Sequence, residues 1–452
     1  MDELQNEEQP LAALAVRIRN SLHRINWRLY LALLITAAFP TIYTSTRIYF
    51  LGDLPAEWGV NIASQLAWVN IGLEVVQEAI ILPLYYLLGK SLLHRDTTLN
   101  KLKTGLAVTI AIYAAFTGLI ALFAQPLVTW MAQNPDQIPA TVEYIRLEMI
   151  AATLLNAVRF LTIFFVLLDW RRVIYTVLGI QVLVSVSLDT ILLSQFDFSF
   201  QAGVNGIAYS NMVASLVTLG YALWVVKKRY GVSRADLDVK PDFSWIREWW
   251  NVGKWSGADS FIRNVFFLVF IIRMINVVEE QGTFWVANGF IWVWLLLPFL
   301  PLADLIKQDT AQGERLPHWD KMLGYFAVCI MIAAAWLILV PGFGWFFENV
   351  FNADPAPHVA LVLLSLPFYM FFMINTAMDS VLYGHGKTGY LALQSLITNV
   401  TVYGTAYVLY LGGILDPTLK GIAVLFGIGI VVDTFVTWWL YNRHLKQSEY
   451  AI

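Results

Sequence analysis

The sequence predicts an all-α integral membrane protein of twelve transmembrane helices in two pseudo-symmetric six-helix bundles. Three observations predict this fold class. Hydrophobic residues make up 58% of the 452 residues and charged residues only 13%, against roughly 25% charged in a soluble domain. Long apolar runs recur along the whole chain. The second half of the chain also repeats the spacing of the first.

Each apolar run reaches the length of about 20 residues that an α-helix needs to cross a bilayer. The runs are too long and continuous for barrel strands, in which apolar and polar residues alternate. The acidic start MDELQNEEQP also lacks the positive charge of a secretory signal. The predicted spans are 26–50, 60–89, 103–125, 142–168, 173–194, 204–226, 250–277, 283–306, 320–341, 357–384, 388–411 and 420–441.

Loop charge supports this number of spans. The predicted outer loops contain no Lys or Arg; they are 51–59, 126–141, 195–203, 278–282, 342–356 and 412–419. Basic residues collect in the inner loops instead, as in KKR at 227–229. Because cytoplasmic loops carry the excess of Lys and Arg, both termini are predicted to be cytoplasmic. The predicted location is the plasma (inner) membrane.

An internal repeat divides the chain. Shifted by 215 residues, 166–229 aligns with 381–444 without a gap, so that Gly-Ile-Ala at 206–208 falls on Gly-Ile-Ala at 421–423. Six spans in each half give both repeats the same orientation, which predicts a two-fold axis along the membrane normal and a cavity between lobes. The predicted divisions are a cytoplasmic segment 1–25, an N-lobe 26–229, a linker 230–249, a C-lobe 250–444 and a tail 445–452.

Several stretches resemble those of one transporter family. They are ILPLYYLLGKSLLHRDTTLNKLKTGL (81–106), YIRLEMIAATLLNAVRFLTIFF (144–165), LDTILL (188–193), GVNGIAYSNMVASLV (203–217) and LVLLSLPFYMFFMINTAMDSVLYGHGKTGY (361–390). The chain is similar to the multidrug and toxic compound extrusion (MATE) family, as a divergent member within the multidrug/oligosaccharidyl-lipid/polysaccharide flippase superfamily. The resemblance implies cation-driven antiport, with substrate export by rocking of two lobes.

The sequence departs from the family's cation sites. Many members carry a carboxylate in the first helix, whereas LYLALLITAAFPTIYTSTRIYF has none. Others carry a Glu in the seventh helix, near which this chain has Arg263. Asp379 in the tenth helix lies nearer the inner end than the family's acidic position. These sites therefore do not carry over, and the coupling ion stays open between H⁺ and Na⁺.

The second span carries the predicted ion-coupling residues. Asn70, Glu74 and Glu78 recur every four residues with Gln77 beside them, so they share one helix face. Two ionised carboxylates one turn apart repel, which favours proton uptake by one of them. Their oxygens could instead bind a sodium ion. A third interpretation is a structural polar stripe that bonds neighbouring helices or an Arg.

Five residues are predicted to line the substrate cavity: Arg159, Asp259, Arg263, Trp68 and Trp285. Arg159 is expected to pair with Glu74 or Glu78 or to attract an anionic group. Asp259 and Arg263 have the i, i+4 spacing of an intrahelical ion pair. Stacking on a lipophilic substrate and plain packing both remain open for the two Trp residues.

Other intramembrane charges carry weaker predictions. Arg47 and Asp189 fall near the outer ends of their spans, where long basic side chains are expected to reach the interface. Asp433 receives no role.

No enzyme signature is present. The chain has no Walker loop, six scattered His and one Cys, so neither a catalytic nor a metal centre is predicted. The predicted function is a secondary active transporter, a proton- or sodium-coupled antiporter that exports amphipathic organic compounds. The alternative is a flippase for an anionic lipid-linked substrate, favoured by Arg47, Arg159 and Arg263. A net acidic cavity supports the first and a net basic cavity the second.

The expected partners are a small amphipathic or lipid-like substrate and membrane lipids, with no nucleic acid. No cofactor is expected besides the coupling H⁺ or Na⁺. The protein is expected to be a monomer.

Overall fold

A computed structural model describes residues 14–54, 58–168, 170–233, 236, 238–312, 319–385 and 387–449. The predicted segment 1–25 is therefore described only from residue 14, and the predicted tail 445–452 only to residue 449. Within these ranges the regular structure is helical, with no strand.

Twelve helices of the described chain, several of them broken, follow the order of the twelve predicted spans, and a short helix, Ala124–Trp130, lies between the third and the fourth. Their bounds are α1 Trp27–Gly52, α2 Trp58–Ser64 with Leu66–Ile80 and Leu84–Gly89, α3 Arg95–Leu122, α4 Ile138–Leu167, α5 Arg171–Leu193, α6 Asn205–Arg229, α7 Ile246–Phe267 with Leu268–Ile272 and Arg273–Val277, α8 Gln281–Phe290 with Ile291–Leu295 and Phe299–Gln312, α9 Trp319–Leu339 with Phe343–Asn349, α10 Pro355–Gly384, α11 Thr388–Thr398 with Asn399–Gly404 and Thr405–Leu411, and α12 Leu419–Glu449.

Nine of the described helices are long and apolar enough to cross a membrane as continuous spans. The two parts of α8 pass the same test together, although a bend of 54° separates them. The other two helices, α2 and α11, are not among these candidates in the described chain. Pro83 lies at the break between Ile80 and Leu84, where its missing N–H ends the ladder. A π-helical turn interrupts the α-helix in α7 at Leu268–Ile272, in α8 at Ile291–Leu295 and in α11 at Asn399–Gly404.

The chain divides into two compact units. The first, here the N unit, consists of Phe39–Val286 and Glu348–Ala353. The second, here the C unit, consists of the residues up to Ala38, Ala287–Phe347 and the chain from Asp354 onward. The predicted lobe limits of 26–229 and 250–444 stay a prediction.

The N unit is built around α4, which packs against α3 and α6. Its large side chains Tyr144, Phe160, Phe164 and Phe165 are fully buried. Their burial fixes α4 in the middle of the unit, and its polar residues bond to α2, α3 and α6.

Helix α7 packs along α2 through a glycine pair of the form GxxxG. A Cβ atom added to Gly257 would lie 2.7 Å from the Cβ of Ala79, and one added to Gly253 would overlap the carbonyl oxygen of Ala79. Small residues let two membrane helices approach closely enough for backbone contact. This crossing places α7 directly against the helix that carries Glu74 and Glu78.

In the C unit, α10 packs against α12 and against the second part of α8. The bend in α8 leaves carbonyl groups without their helical donors, and side chains replace those donors. The indole nitrogen of Trp336 donates to the Leu295 carbonyl at 2.9 Å, and the Tyr30 hydroxyl donates to the Pro298 carbonyl at 2.8 Å. Broken helices are tolerated at membrane depth when neighbouring groups satisfy the backbone in this way.

Candidate functional site

A cavity of about 600 Å³ opens inside the N unit, among α1, α2, α4, α5 and α6. Alanine and leucine side chains form the apolar part of its wall. The remaining wall is polar, and its members are Tyr43, Arg47, Asn70, Glu74, Gln77, Glu78, Glu148, Asn156, Arg159, Gln181, Ser185, Asn211 and Ser215. A volume of this size can hold a small organic molecule.

All four predicted ion-coupling residues line this cavity. Asn70, Glu74, Gln77 and Glu78 lie on the Leu66–Ile80 part of α2, where the four-residue spacing puts them on one face. Asn70 and Glu74 are exposed to the cavity, and Gln77 and Glu78 are half-buried. The structure thus brings together the residues that the sequence pattern grouped, and their role in coupling stays a prediction.

Arg159 reaches the same cavity from α4. Its Nη1 donates to the Oε1 of Gln77 and, at 3.4 Å, to the Oδ1 of Asn156. Glu74 is close enough to act electrostatically on this guanidinium. The hydrogen bonds described for Arg159 therefore go to amides beside the carboxylates, rather than to the carboxylate pair that the sequence suggested.

A second polar group, which sequence reasoning missed, lies on the α1, α4, α5 and α6 side of the cavity. Arg47 donates from Nε to Oδ2 of Asp189 at 3.1 Å and from Nη2 to Oδ1 at 3.3 Å. Nη2 also donates to Asn211 at 3.0 Å, and Asn211 donates to Oε1 of Glu148 at 2.7 Å. The expectation that Arg47 reaches the membrane interface is therefore wrong.

Buried carboxylates explain why the Arg47 side chain points into the N unit. The Asp189 side chain is 0% exposed and the Arg47 side chain 13%, and Glu148 is buried as well. A charge in such surroundings is tolerated only when it is paired and hydrogen-bonded. The sequence signal was available in principle, since α1, α4 and α5 each carry a charge in an apolar run, but no spacing rule links three separate helices.

A smaller cavity of about 210 Å³ adjoins the first through shared residues. Arg47, Leu66 and Asn70 line both, and Trp285 lines only the smaller one. Trp68 is found in neither lining among the described residues. Its indole nitrogen donates to Gln65 at 3.1 Å, and it is buried in the unit. The contact of either Trp with substrate stays a prediction.

The predicted pair on α7 falls outside this description. The backbone of Asp259 and Arg263 is helical, but their side chains lie outside the described part of the chain. Their predicted pairing therefore stays a prediction. Among the described residues, no group of three or more His, Cys, Asp or Glu is arranged to hold a metal ion.

Compared by sequence, the chain matches no family model and no curated protein. Compared by structure, it is similar to a multidrug resistance MATE family transporter of the MOP superfamily. The inward-facing conformation of such a transporter gives a TM-score of 0.77 at 14% identity, with 93% of this chain and 99% of that chain covered. The chain has the fold of the MATE transporters.

Further MATE-fold structures match over nearly the full length. An outward-facing MATE conformation gives a TM-score of 0.68 at 12% identity, with 96% of this chain and 97% of that chain covered. A MOP superfamily transporter from Pyrococcus furiosus gives 0.67 at 14% identity, with the same two coverages. That transporter is described as having a binding pocket of reverse polarity, which suggests a different function for it.

The MATE fold confirms the predicted all-α membrane fold class and the family resemblance seen in the sequence stretches. The protein is a multi-pass membrane protein. At 12–14% identity the likeness concerns the fold. Within this MATE fold, the charged groups of the cavity therefore have to be interpreted from this chain's own residues.

Proposed function

We propose that the protein is a secondary active transporter, a proton- or sodium-coupled antiporter that exports amphipathic organic compounds by alternating access. The MATE fold supports a transporter role, and the charge of the N-unit cavity carries the proposal. Three carboxylates line the cavity, those of Glu74, Glu78 and Glu148, against the two guanidiniums of Arg47 and Arg159. With all five ionised, the wall has one negative charge in excess.

An excess of negative charge favours a cationic guest. A cavity lined by one sign of charge within low-dielectric walls concentrates ions of the opposite sign. Arg47 also forms an ion pair with Asp189, which is not among the described lining residues. The carboxylate of Asp189 therefore offsets the positive charge of Arg47. The cavity thus supports either a coupling cation or a positively charged amphipathic compound, and those two compete for the same carboxylates in an antiporter.

The coupling step is assigned to the α2 face. Glu74 and Glu78 are one turn apart, so protonation or sodium binding at one relieves the repulsion between them. Asn70 and Gln77 supply amide oxygens on the same face, as a sodium ion requires. The contact between Gln77 and Arg159 links this face to α4, so a change of charge on α2 acts on the guanidinium at the same time.

The second candidate is a flippase for an anionic lipid-linked substrate. Arg159 is the observation that favours it, because its side chain is exposed in the cavity and its described hydrogen bonds go to neutral amides. A guanidinium in that position can bind a phosphate through two parallel hydrogen bonds. The acidic excess of the wall weighs against this candidate.

We further propose that both termini are cytoplasmic and that the protein is a monomer of the plasma (inner) membrane. The loop charges support the orientation, since the predicted outer loops contain no Lys or Arg.

Transport in proteoliposomes tests the function. Purified protein is reconstituted, a proton or a sodium gradient is imposed, and uptake of a cationic dye is compared with movement of an anionic fluorescent lipid. The double variant Glu74→Gln with Glu78→Gln is expected to lose gradient-driven dye transport.

The matched control is Glu143→Gln. Glu143 is a carboxylate on α4 that accepts a hydrogen bond from Asn205 and is not among the described lining residues of the cavity. Dye transport equal to that of the wild type in the double variant would remove these residues from coupling, and lipid movement without dye transport would favour the flippase.

A further inference from the structure

Two histidines, His385 and His444, form a hydrogen-bonded pair in the C unit. The Nε2 of His444 lies 3.2 Å from the Nδ1 of His385, and the centroids of the two rings are 5.2 Å apart. His385 directly follows Gly384, the last residue of α10, and His444 lies near the end of α12. The pair therefore joins the end of α10 to the end of α12. The proposed function uses neither residue.

The pair is largely shielded from water. His444 is 5% exposed, and Leu440 and Tyr441, one turn before it on α12, are fully buried. His385 is half-buried. The ring of Tyr390, near the start of α11, lies edge-on to that of His444 with the centroids 6.3 Å apart. Three helix ends therefore meet at the pair, in surroundings that disfavour a charged imidazole.

Basic side chains surround the pair. Lys387, between α10 and α11, is close enough to act electrostatically on both imidazoles. Arg443 is exposed beside the pair on α12. Helix α8 reaches the end of α10 at Gly384, where its Lys307 pairs with Asp304 at 3.0 Å. The positive charge of Lys387 disfavours a further positive charge on either ring.

The internal repeat shows which residues occupy the same positions in the first half of the chain. A shift of 215 residues places His385 on Trp170 and His444 on Arg229. In the N unit the guanidinium of Arg229 lies over the ring of Trp170, 5.7 Å from its centroid. An arginine keeps its charge at every physiological pH. The first half therefore has a permanent cation–π contact where the second half has two imidazoles.

The neighbouring position keeps its chemistry in both halves. The ammonium of Lys228 lies over the ring of Trp224 at 4.8 Å in the N unit, and the guanidinium of Arg443 lies over the ring of Trp439 at 5.9 Å in the C unit. The same shift of 215 residues relates these two contacts. The correspondence of the halves therefore holds at the ends of α6 and α12, and the imidazole pair departs from it by introducing two titratable groups.

Protonation determines whether the pair can stay in contact. A neutral imidazole has one donor nitrogen and one acceptor nitrogen, so two neutral rings can share one hydrogen bond. One added proton can still be shared between the two facing nitrogens. A second added proton leaves two donors and two positive charges facing each other, and the contact is lost. Burial and the charge of Lys387 both lower the pKa of His385, so the closed pair resists protonation.

We propose that His385 and His444 form a pH-sensitive latch, which holds the end of α12 against the ends of α10 and α11 at neutral pH and releases it when both rings are protonated. Imidazoles released into water take up protons at a pH of about 6.5. The latch is therefore closed above this range and opens as the pH falls through it. With the orientation proposed above, the latch responds to cytoplasmic pH. This response is separate from the α2 carboxylates.

Hydrogen exchange of the backbone amides at 440–446 tests the latch in the purified full-length protein, without any transport measurement. Each ring that takes up a proton on opening favours opening by about tenfold between pH 7.5 and pH 5.5. After correction for intrinsic rates, the wild type is expected to lose protection by about tenfold if the closed pair already holds one shared proton, and by about a hundredfold if it holds none.

Two double variants remove the titration. His385→Gln with His444→Gln keeps side chains that can hydrogen-bond but take up no proton, and it is expected to show equal protection at both pH values. His385→Trp with His444→Arg recreates the contact of Arg229 with Trp170 and is expected to do the same, so either variant suffices if the other does not fold. The matched control is His94→Gln, which removes an exposed imidazole of the N unit and is expected to respond to pH as the wild type does.

Two results would overturn the latch: equal protection of the wild type at pH 7.5 and pH 5.5, or a loss of wild-type size in either folded double variant. The variant Glu74→Gln with Glu78→Gln is expected to keep the wild-type response at 440–446. Loss of the response there would place the pH sensitivity on α2, which overturns this inference while supporting the proposed function.

Discussion

The guanidinium of Arg47 on the first helix and the carboxylate of Asp189 on the fifth form a buried ion pair, with Nη2 3.0 Å from Oδ2. Asn211 joins this pair to the buried carboxylate of Glu148. Four membrane helices, α1, α4, α5 and α6, are thereby connected around one guanidinium that lines the N-unit cavity. The pair therefore bears on the stability of the protein as well as on the charge of the cavity.

Replacing Arg47 by Met is expected to destabilise the protein by about 3–5 kcal/mol, because it leaves the buried carboxylate of Asp189 without its partner. Thermal or denaturant unfolding in detergent measures the loss. The double variant Arg47→Met with Asp189→Leu is expected to recover most of it, because an apolar pair of similar volume avoids the uncompensated charge. If the double variant were no more stable than the single one, the pair would not be the cause.

The glycine crossing of α7 on α2 gives a second prediction. Gly253→Ala places a methyl group on the backbone carbonyl of Ala79, and such overpacking is expected to cost about 1–3 kcal/mol. Gly220→Ala on α6 is the matched control, because a Cβ atom there meets nothing within 4 Å. The control is expected to keep or slightly raise stability, since alanine has the higher helix propensity. Equal unfolding midpoints for both variants would argue against close packing at Ala79.

Cysteine labelling tests the cavity and its charge. The chain has one cysteine, the buried Cys329, so Cys329→Ala supplies a cysteine-free background. Ala152 lines the cavity, whereas Ala157 on the same helix is 1% exposed. A cysteine at 152 is expected to react with a water-soluble methanethiosulfonate, and one at 157 is expected to stay unlabelled. The cationic reagent is expected to react faster than the anionic one, because the wall is acidic; a faster anionic reagent would contradict the charge assignment.

The loop after α6 gives a prediction about pH. Arg95 donates to both carboxylate oxygens of Asp236, at 3.2 and 3.1 Å, and the backbone N–H of Ser233 adds a bond of 2.8 Å. These contacts, that of Arg95 first, hold the pKa of the Asp236 carboxyl well below its usual range. A lowered pKa means that the contribution to stability is present above the usual aspartate range and is lost as the pH falls toward the lowered value.

Hydrogen exchange of the amides near Asp236 measures this contribution. After correction for intrinsic rates, exchange is expected to accelerate as the pH falls below the usual range for aspartate. In Asp236→Asn it is expected to be fast already at neutral pH. Asp238→Asn, two residues further along, serves as the control and is expected to behave as the wild type. An exchange rate in Asp236→Asn equal to that of the wild type would contradict the role of the ion pair.

Hydropathy was sufficient to predict the twelve helices, but not their interruptions. The predicted span 60–89 is broken at Pro83 and again beside Gln65. Averaging over a span hides such local events, because one proline or one turn changes the mean hydropathy very little. The π-turn in α11 has no residue signal of this kind, since Asn399–Gly404 contains no proline.

The α2 face could be predicted because its residues lie on one helix, where period alone places Asn70, Glu74 and Glu78 together. Arg47 and Asp189 are separated by 142 residues, and each looks like an ordinary charge at the end of a span. Their depth becomes clear only when three helices are packed side by side. For the same reason, the sequence predicts no role for Asp433, whose hydrogen-bond donors come from α10 and α11.

The contact of Gly253 and Gly257 with Ala79 bears on how the gene can be divided. In a protein made as two polypeptides separated within 230–249, the seventh helix would begin the second polypeptide. It would then have to find its partner surface on another chain while both are being inserted into the bilayer. A division within 278–282 keeps the second and seventh helices on one polypeptide, so complementation by separately synthesised halves should be more efficient there.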